Sequence, residues 1–157
     1  ILSNATSYVS ENAIETIISN ILNLAKTGTP LEVWSHVRFD VSPDEDLIGI
    51  PDFLVAPVAD IGTIFTNPVL CIAEAKKDDF KSGWAQALAA MIAAQKYNNN
   101  PDQEIYGIVT TGKIWEFSRL CQTQLTMDIV SYSALEDLQK LLDIVHWIFV
   151  EATKNIV

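Results

Sequence analysis

The sequence predicts a mixed α/β domain with the element order α-β-β-β-α-β-β-β-α. Three observations carry that expectation. An isoleucine stripe at helical spacing lies near the start, runs rich in Val, Ile and aromatic residues follow at strand length, and an Ala-rich helical segment divides those runs into two groups. The length of 157 residues suits one domain, so 1–157 is expected to form a single unit. Hydrophobic residues make up 49% and charged residues 19%, which excludes a disordered chain. Six Gly, six Pro and two Cys exclude collagen-like and disulfide-scaffold classes. Ten Lys and Arg stand against twenty Asp and Glu, a net charge of −10. That balance argues against a protein that coats DNA through a basic face.

Each element has its own signal. Ile14, Ile17, Ile18, Ile21, Leu22 and Ala25 form one apolar stripe within a helix over Ser7 to Lys26, with Ser7 or Ser10 as cap and Gly28 and Pro30 as stop. Leu31 to Val41 alternates and reads as a strand, Ser42 to Asp46 as a turn, and Ile48 to Val58 as a second strand. Pro51 places that second strand at an edge, a start or a bulge. Val69 to Lys77 is apolar on both faces, the pattern of a central strand covered on two sides. Asp78, Asp79, Ser82 and Gly83 read as a break before a helix over Trp84 to Tyr97. Its alanines (Ala85, Ala87, Ala89, Ala90, Ala93, Ala94) invite close packing on a sheet. Strands are then expected over Glu104 to Thr111, Lys113 to Leu120 and Leu125 to Tyr132, and a closing helix over Ala134 to Lys154. That last helix is apolar nearly all round (Leu141, Leu142, Ile144, Val145, Trp147, Ile148, Phe149, Val150), which predicts burial on more than one side and a homodimer through it. Its apolar stretch is too short for a membrane span, and two unpaired cysteines suit a reducing compartment, so a cytoplasmic location is expected.

The chemistry lies in Pro51-Asp52 and, 22 positions further on, Glu74-Ala75-Lys76. In a strand, residues two apart share a face, so Glu74 and Lys76 stand side by side with Ala75 opposite. Two carboxylates and an ammonium at the ends of strands are costly to bury without a purpose. A hard divalent ion supplies one, because Mg²⁺ takes carboxylate oxygens and keeps water and substrate phosphate as further ligands. Asp52 and Glu74 are the candidate metal anchors, and a backbone carbonyl between Glu74 and Lys76 offers a third oxygen. Lys76 is the candidate for orienting the attacking water and offsetting transition-state charge.

On these residues and this element order the chain resembles the PD-(D/E)xK phosphodiesterase superfamily, the restriction-endonuclease-like fold, over roughly Ser10 to Thr111. The resemblance implies a mixed sheet flanked by helices and a nuclease that hydrolyses phosphodiester bonds of DNA with Mg²⁺ or Mn²⁺. It further implies a first-helix carboxylate, for which Glu11 and Glu15 are candidates. At about 100° per residue, Glu11 lies about 60° from the centre of the isoleucine stripe and Glu15 about 100°, which favours Glu11. Some members carry a Gln on the helix after the Lys, a place Gln86 fits, where it would hold a carboxylate, a water or a DNA phosphate. Exonuclease-like branches have a Tyr four residues beyond that Gln, and this chain has Ala90. The acid excess then predicts DNA contact that is weak, local, metal-dependent and salt-sensitive, or assisted by a partner. The alternative is a catalytically silent module of the same fold used in protein interaction or regulation. No zinc spacing, glycine-rich phosphate loop or nucleophile elbow occurs, and His36 and His146 are far apart and read as structural.

Overall fold

A computed structural model describes residues 10–42, 47–60, 64–154 and 156, with the backbone alone at 10–12, 40, 42, 47 and 48. Positions 43–46 of the turn expected over Ser42 to Asp46, positions 61–63, and positions 7–9 of the expected opening helix lie outside the described residues. The elements are α1 (Ser10–Ala25), β1 (Leu31–Ser35), β2 (Phe39–Ser42), β3 (Leu47–Gly49), β4 (Phe53–Pro57), β5 (Cys71–Ala75), α2 (Phe80–Asn98), β6 (Ile105–Thr110), β7 (Ile114–Cys121), β8 (Gln124–Met127), β9 (Tyr132–Ser133) and α3 (Leu138–Thr153). Seven strands form one mixed sheet in the order β1-β4-β5-β6-β7-β8, and β9 pairs with β7. The β5–β6 pair is parallel and the others are antiparallel. A parallel pair needs a crossover, and α2 supplies it.

Alternation along the strands feeds two cores. Phe53, Val55, Cys71, Ala73, Tyr106 and Ile108 face the layer built by α1 and α3. Leu54, Ala56, Ile72 and Ile105 face α2, where Phe39 of β2 also packs. The central strand β5 is therefore covered on both sides, as its unbroken apolar run predicts. Ala87, Ala90, Ala93 and Ala94 of α2 are buried against the sheet, whereas Ala85 and Ala89 face solvent.

Four expected elements differ in extent. The run Leu31 to Val41 breaks into β1 and β2 at His36, whose φ of 52° leaves the extended region. β2 pairs with β3 in a separate two-stranded sheet packed over α2. There Phe39 meets the Tyr97 ring edge-on, with centroids 5.7 Å apart. Gly49 faces Phe39 in the β2–β3 register, and a Cβ at that position would come within 2.3 Å of the ring. The run Ile48 to Val58 splits at Pro51 into β3 and β4. The helix α2 starts at Phe80, earlier than its alanines suggest, because the Asp79 side chain accepts from the Ser82 N–H at 3.1 Å and caps it. The run from Leu125 likewise divides into β8 and the short β9.

The closing helix α3 buries Leu141, Val145, Ile148, Phe149 and Ala152 within the molecule. Packing inside one chain thus accounts for much of its apolar character. Trp147, 56% exposed, is left beside a shallow hollow of about 220 Å³ that it lines with Met127 and Ile144. The expectation of a homodimer rests on that surface. Among the described residues, no helix is long and apolar enough to cross a membrane.

Candidate metal centre

Strand register brings Asp52 and Glu74 together. Phe53 pairs with Ala73 in the antiparallel β4–β5 ladder, so the next step places Asp52 opposite Glu74. That places the two carboxyls on one face of the ladder, near enough for Asp52 to disfavour the charged form of Glu74. The Ala75 N–H donates to Asp52 Oδ2 at 2.8 Å, which fixes the Asp52 carboxyl at the end of the sheet. Glu74 is only 5% exposed. Burial, then the neighbouring Asp52, pushes its pKa up to about 8, against a weaker opposing pull from Lys76.

Lys76 stands on the same face as Glu74, at the open end of β5, with its N–H bonded to Thr110 O at 2.9 Å. Its aliphatic stem lies against α2. A Cβ on Gly83 would stand 2.9 Å from Lys76 Cγ and 2.6 Å from Val109 Cγ1, so glycine allows the first turn of α2 to approach both. Asp52 and Lys76 open into a cleft of about 480 Å³ that Ile14, Glu15, Ala75, Lys77, Asp78 and Asp79 also line, whereas Glu74 lies buried behind it and is not part of the lining.

Of the two first-helix acids, Glu15 lines this cleft together with Ile14 of the isoleucine stripe. The backbone of Glu11 belongs to α1, and its side chain lies outside the described residues. Gln86 is exposed on α2 and does not line the cleft. His36, expected to be structural, lies beside Asp52 and Glu15. Its N–H donates to Asp52 O at 3.0 Å, and its Nε2 lies 3.2 Å from Glu15 Oε2. The signal for it was tertiary, since pairing β1 with β4 is what sets His36 opposite Asp52.

The donor set fits a hard divalent cation. Asp52 and the almost wholly buried Glu74 stand opposite one another and carry like charges when ionised, and a cation between them would relieve that repulsion. The backbone carbonyl of Ala75 is the third oxygen expected from the sequence. Comparison of the chain with protein-family models, curated proteins and solved structures gives no match.

Proposed function

We propose that this chain is a metal-dependent phosphodiesterase that hydrolyses DNA, with Asp52 and Glu74 holding Mg²⁺ or Mn²⁺ and Lys76 serving the reaction. The β4–β5 register that sets Asp52 opposite the buried Glu74, with Asp52 and Lys76 lining one open cleft, carries this reading. The arrangement of β1, β4, β5, α2 and β6 supports it as well. An antiparallel series leads into a parallel pair through one helix, which agrees with the restriction-endonuclease-like core that the sequence resembles.

A bound divalent ion would supply a water of lowered pKa and polarise the phosphate. The protein's own groups do the rest. Asp52, pinned by the Ala75 N–H, orients one carboxylate. Glu74 loses its proton on entering the ligand set. Lys76, its stem beside Gly83 and its side chain lining the cleft, would serve the attacking water and the phosphate oxygen that gains charge. Lys77 on the cleft wall offers a second cation to the substrate backbone. Glu15, Asp78 and Asp79 add negative charge around the opening, so phosphate entry depends on the bound cation.

The test is cleavage of supercoiled, linear and single-stranded DNA, and of RNA, by the pure chain in Mg²⁺ or Mn²⁺. Cleavage of DNA that disappears on chelation and in Asp52→Ala and Lys76→Ala supports the reading. Equal residual cleavage in both variants assigns the activity to a contaminant and favours the silent interaction module. Cleavage of RNA alone would move the substrate class.

A further inference from the structure

We propose that a second hollow, beside the cleft, is a nucleobase subsite, so that the strand to be cut carries an unpaired nucleotide next to the scissile phosphate. This rests on the phosphodiesterase reading of the cleft and names its substrate class as single-stranded or locally unpaired DNA. The hollow measures about 520 Å³, within the range of about 300–1,000 Å³ typical of small-ligand pockets. It lies between α1, the start of α2 and the turn from β6 to β7. Ile14, Lys77 and Asp78 line both the hollow and the cleft, so the two are continuous.

The wall of the hollow suits the face of a base. Ile14 and Ile17 of α1, Phe80 of α2 and Ile114 of β7 supply apolar surface with one aromatic ring. Ile17 is 46% exposed although it belongs to the isoleucine stripe. The turn on the other side is held in place. Gly112 takes a φ of 89°, which glycine adopts without strain. Its N–H donates to Thr110 Oγ1 at 2.9 Å, and its carbonyl accepts from Trp115 Nε1 at 3.1 Å. The charges complement a nucleotide. Lys77 stands where hollow and cleft meet, the place for the phosphate that joins the cut nucleotide to the next. Lys113 at the turn offers N–H donors to the oxygens and ring nitrogens of a base edge. Two features favour an unpaired base. A paired base is stacked within the duplex and must leave it to enter a pocket. The net charge of −10 also leaves little backbone attraction, the main source of duplex affinity, whereas stacking on an apolar wall does not depend on charge.

The test is fluorescence anisotropy of the full chain with Ca²⁺, another oxygen-seeking ion, in place of Mg²⁺. The labelled probes are a single-stranded DNA, the same backbone with its bases removed, and the fully paired duplex. The base-bearing strand should bind about 5–100-fold more tightly than the abasic one, and more tightly than the duplex. Ile17→Ser and Phe80→Ala should each reduce that preference to about threefold or less and leave abasic affinity unchanged within about twofold. Unchanged abasic binding shows that each variant is folded, and the exposure of Ile17 makes its substitution tolerable. Equal affinity of the wild type for base-bearing and abasic strands would overturn the proposal. So would a preference kept by both variants, duplex binding at least as tight as single-strand binding, or no binding of any probe. A chain that shows the preference but cuts nothing in Mg²⁺ or Mn²⁺ keeps the subsite and loses the phosphodiesterase reading. A chain that cuts DNA without the preference loses the subsite alone.

Discussion

At the scale of single residues, the centre turns on a carboxyl that cannot hold its charge unaided. Glu74 is buried beside Asp52, and its pKa rises from 4.5 to about 8. The native state therefore binds more protons than the unfolded chain between those values. Stability of the metal-free protein must fall as pH rises through that interval and level off above it. Urea unfolding of the metal-free chain from pH 5 to 9 should show the decline, and Glu74→Gln should flatten it. Cation binding has the opposite dependence, because the ion displaces the Glu74 proton, so affinity rises with pH up to about 8. Lys76→Ala should lower the cleavage rate by about 10²–10⁴ with little change in Mg²⁺ affinity, as expected of a group that acts on the water and the phosphate. Calorimetry beside single-turnover kinetics separates the two effects.

At the scale of elements, α2 is the brace of the site. Its first turn rests on Lys76 through Gly83, and its last residue is tied to the strand side of the molecule. The buried Asn98 accepts from the Val69 N–H at 2.7 Å and donates to the Val69 carbonyl at 2.8 Å. Asn98→Ala leaves both backbone groups buried and unpaired, and should cost about 2–4 kcal/mol in chemical denaturation. Gly83→Ala should gain about 1 kcal/mol of helix propensity and lose more by overlap with Lys76 and Val109, so both stability and cleavage should fall. These elements differ in how far the sequence reveals them. The apolar run of β5 and the alanines of α2 are local patterns, and strand alternation sets Glu74 and Lys76 on one face, whereas Asp52 joins them through the β4–β5 register. The break at His36 is not local, since Leu31 to Val41 alternates without interruption and only the packing of β2 over α2 bends it. The start of α2 was legible in principle: Asp79 three residues before Ser82 is a capping spacing, masked by the helix-breaking habit of Gly83. That Glu15 lines the cleft depends on how α1 packs beside β5, which no helical wheel shows.

At the scale of the whole molecule, the acid excess and the proposed substrate pull in opposite directions. The net charge is −10, and Lys76 and Lys77 are the ammoniums lining the cleft. Two phosphate contacts predict a slope of about −2 for log K against log salt in DNA binding by Glu74→Gln, far below that of a protein with a broad basic face. Fluorescence anisotropy over a salt series reads that slope, and a value several-fold steeper would mean a phosphate surface elsewhere. The central claim is that Asp52, Glu74 and Lys76 form one phosphodiesterase centre. Its most direct measurement is single-turnover cleavage of end-labelled DNA in saturating Mg²⁺ by the wild type, Asp52→Ala, Glu74→Gln and Lys76→Ala. The account predicts metal-dependent product from the wild type and a loss of about 10² or more in each variant. Cleavage that survives all three substitutions, or a folded, metal-loaded wild type that cuts no phosphodiester substrate, would contradict it.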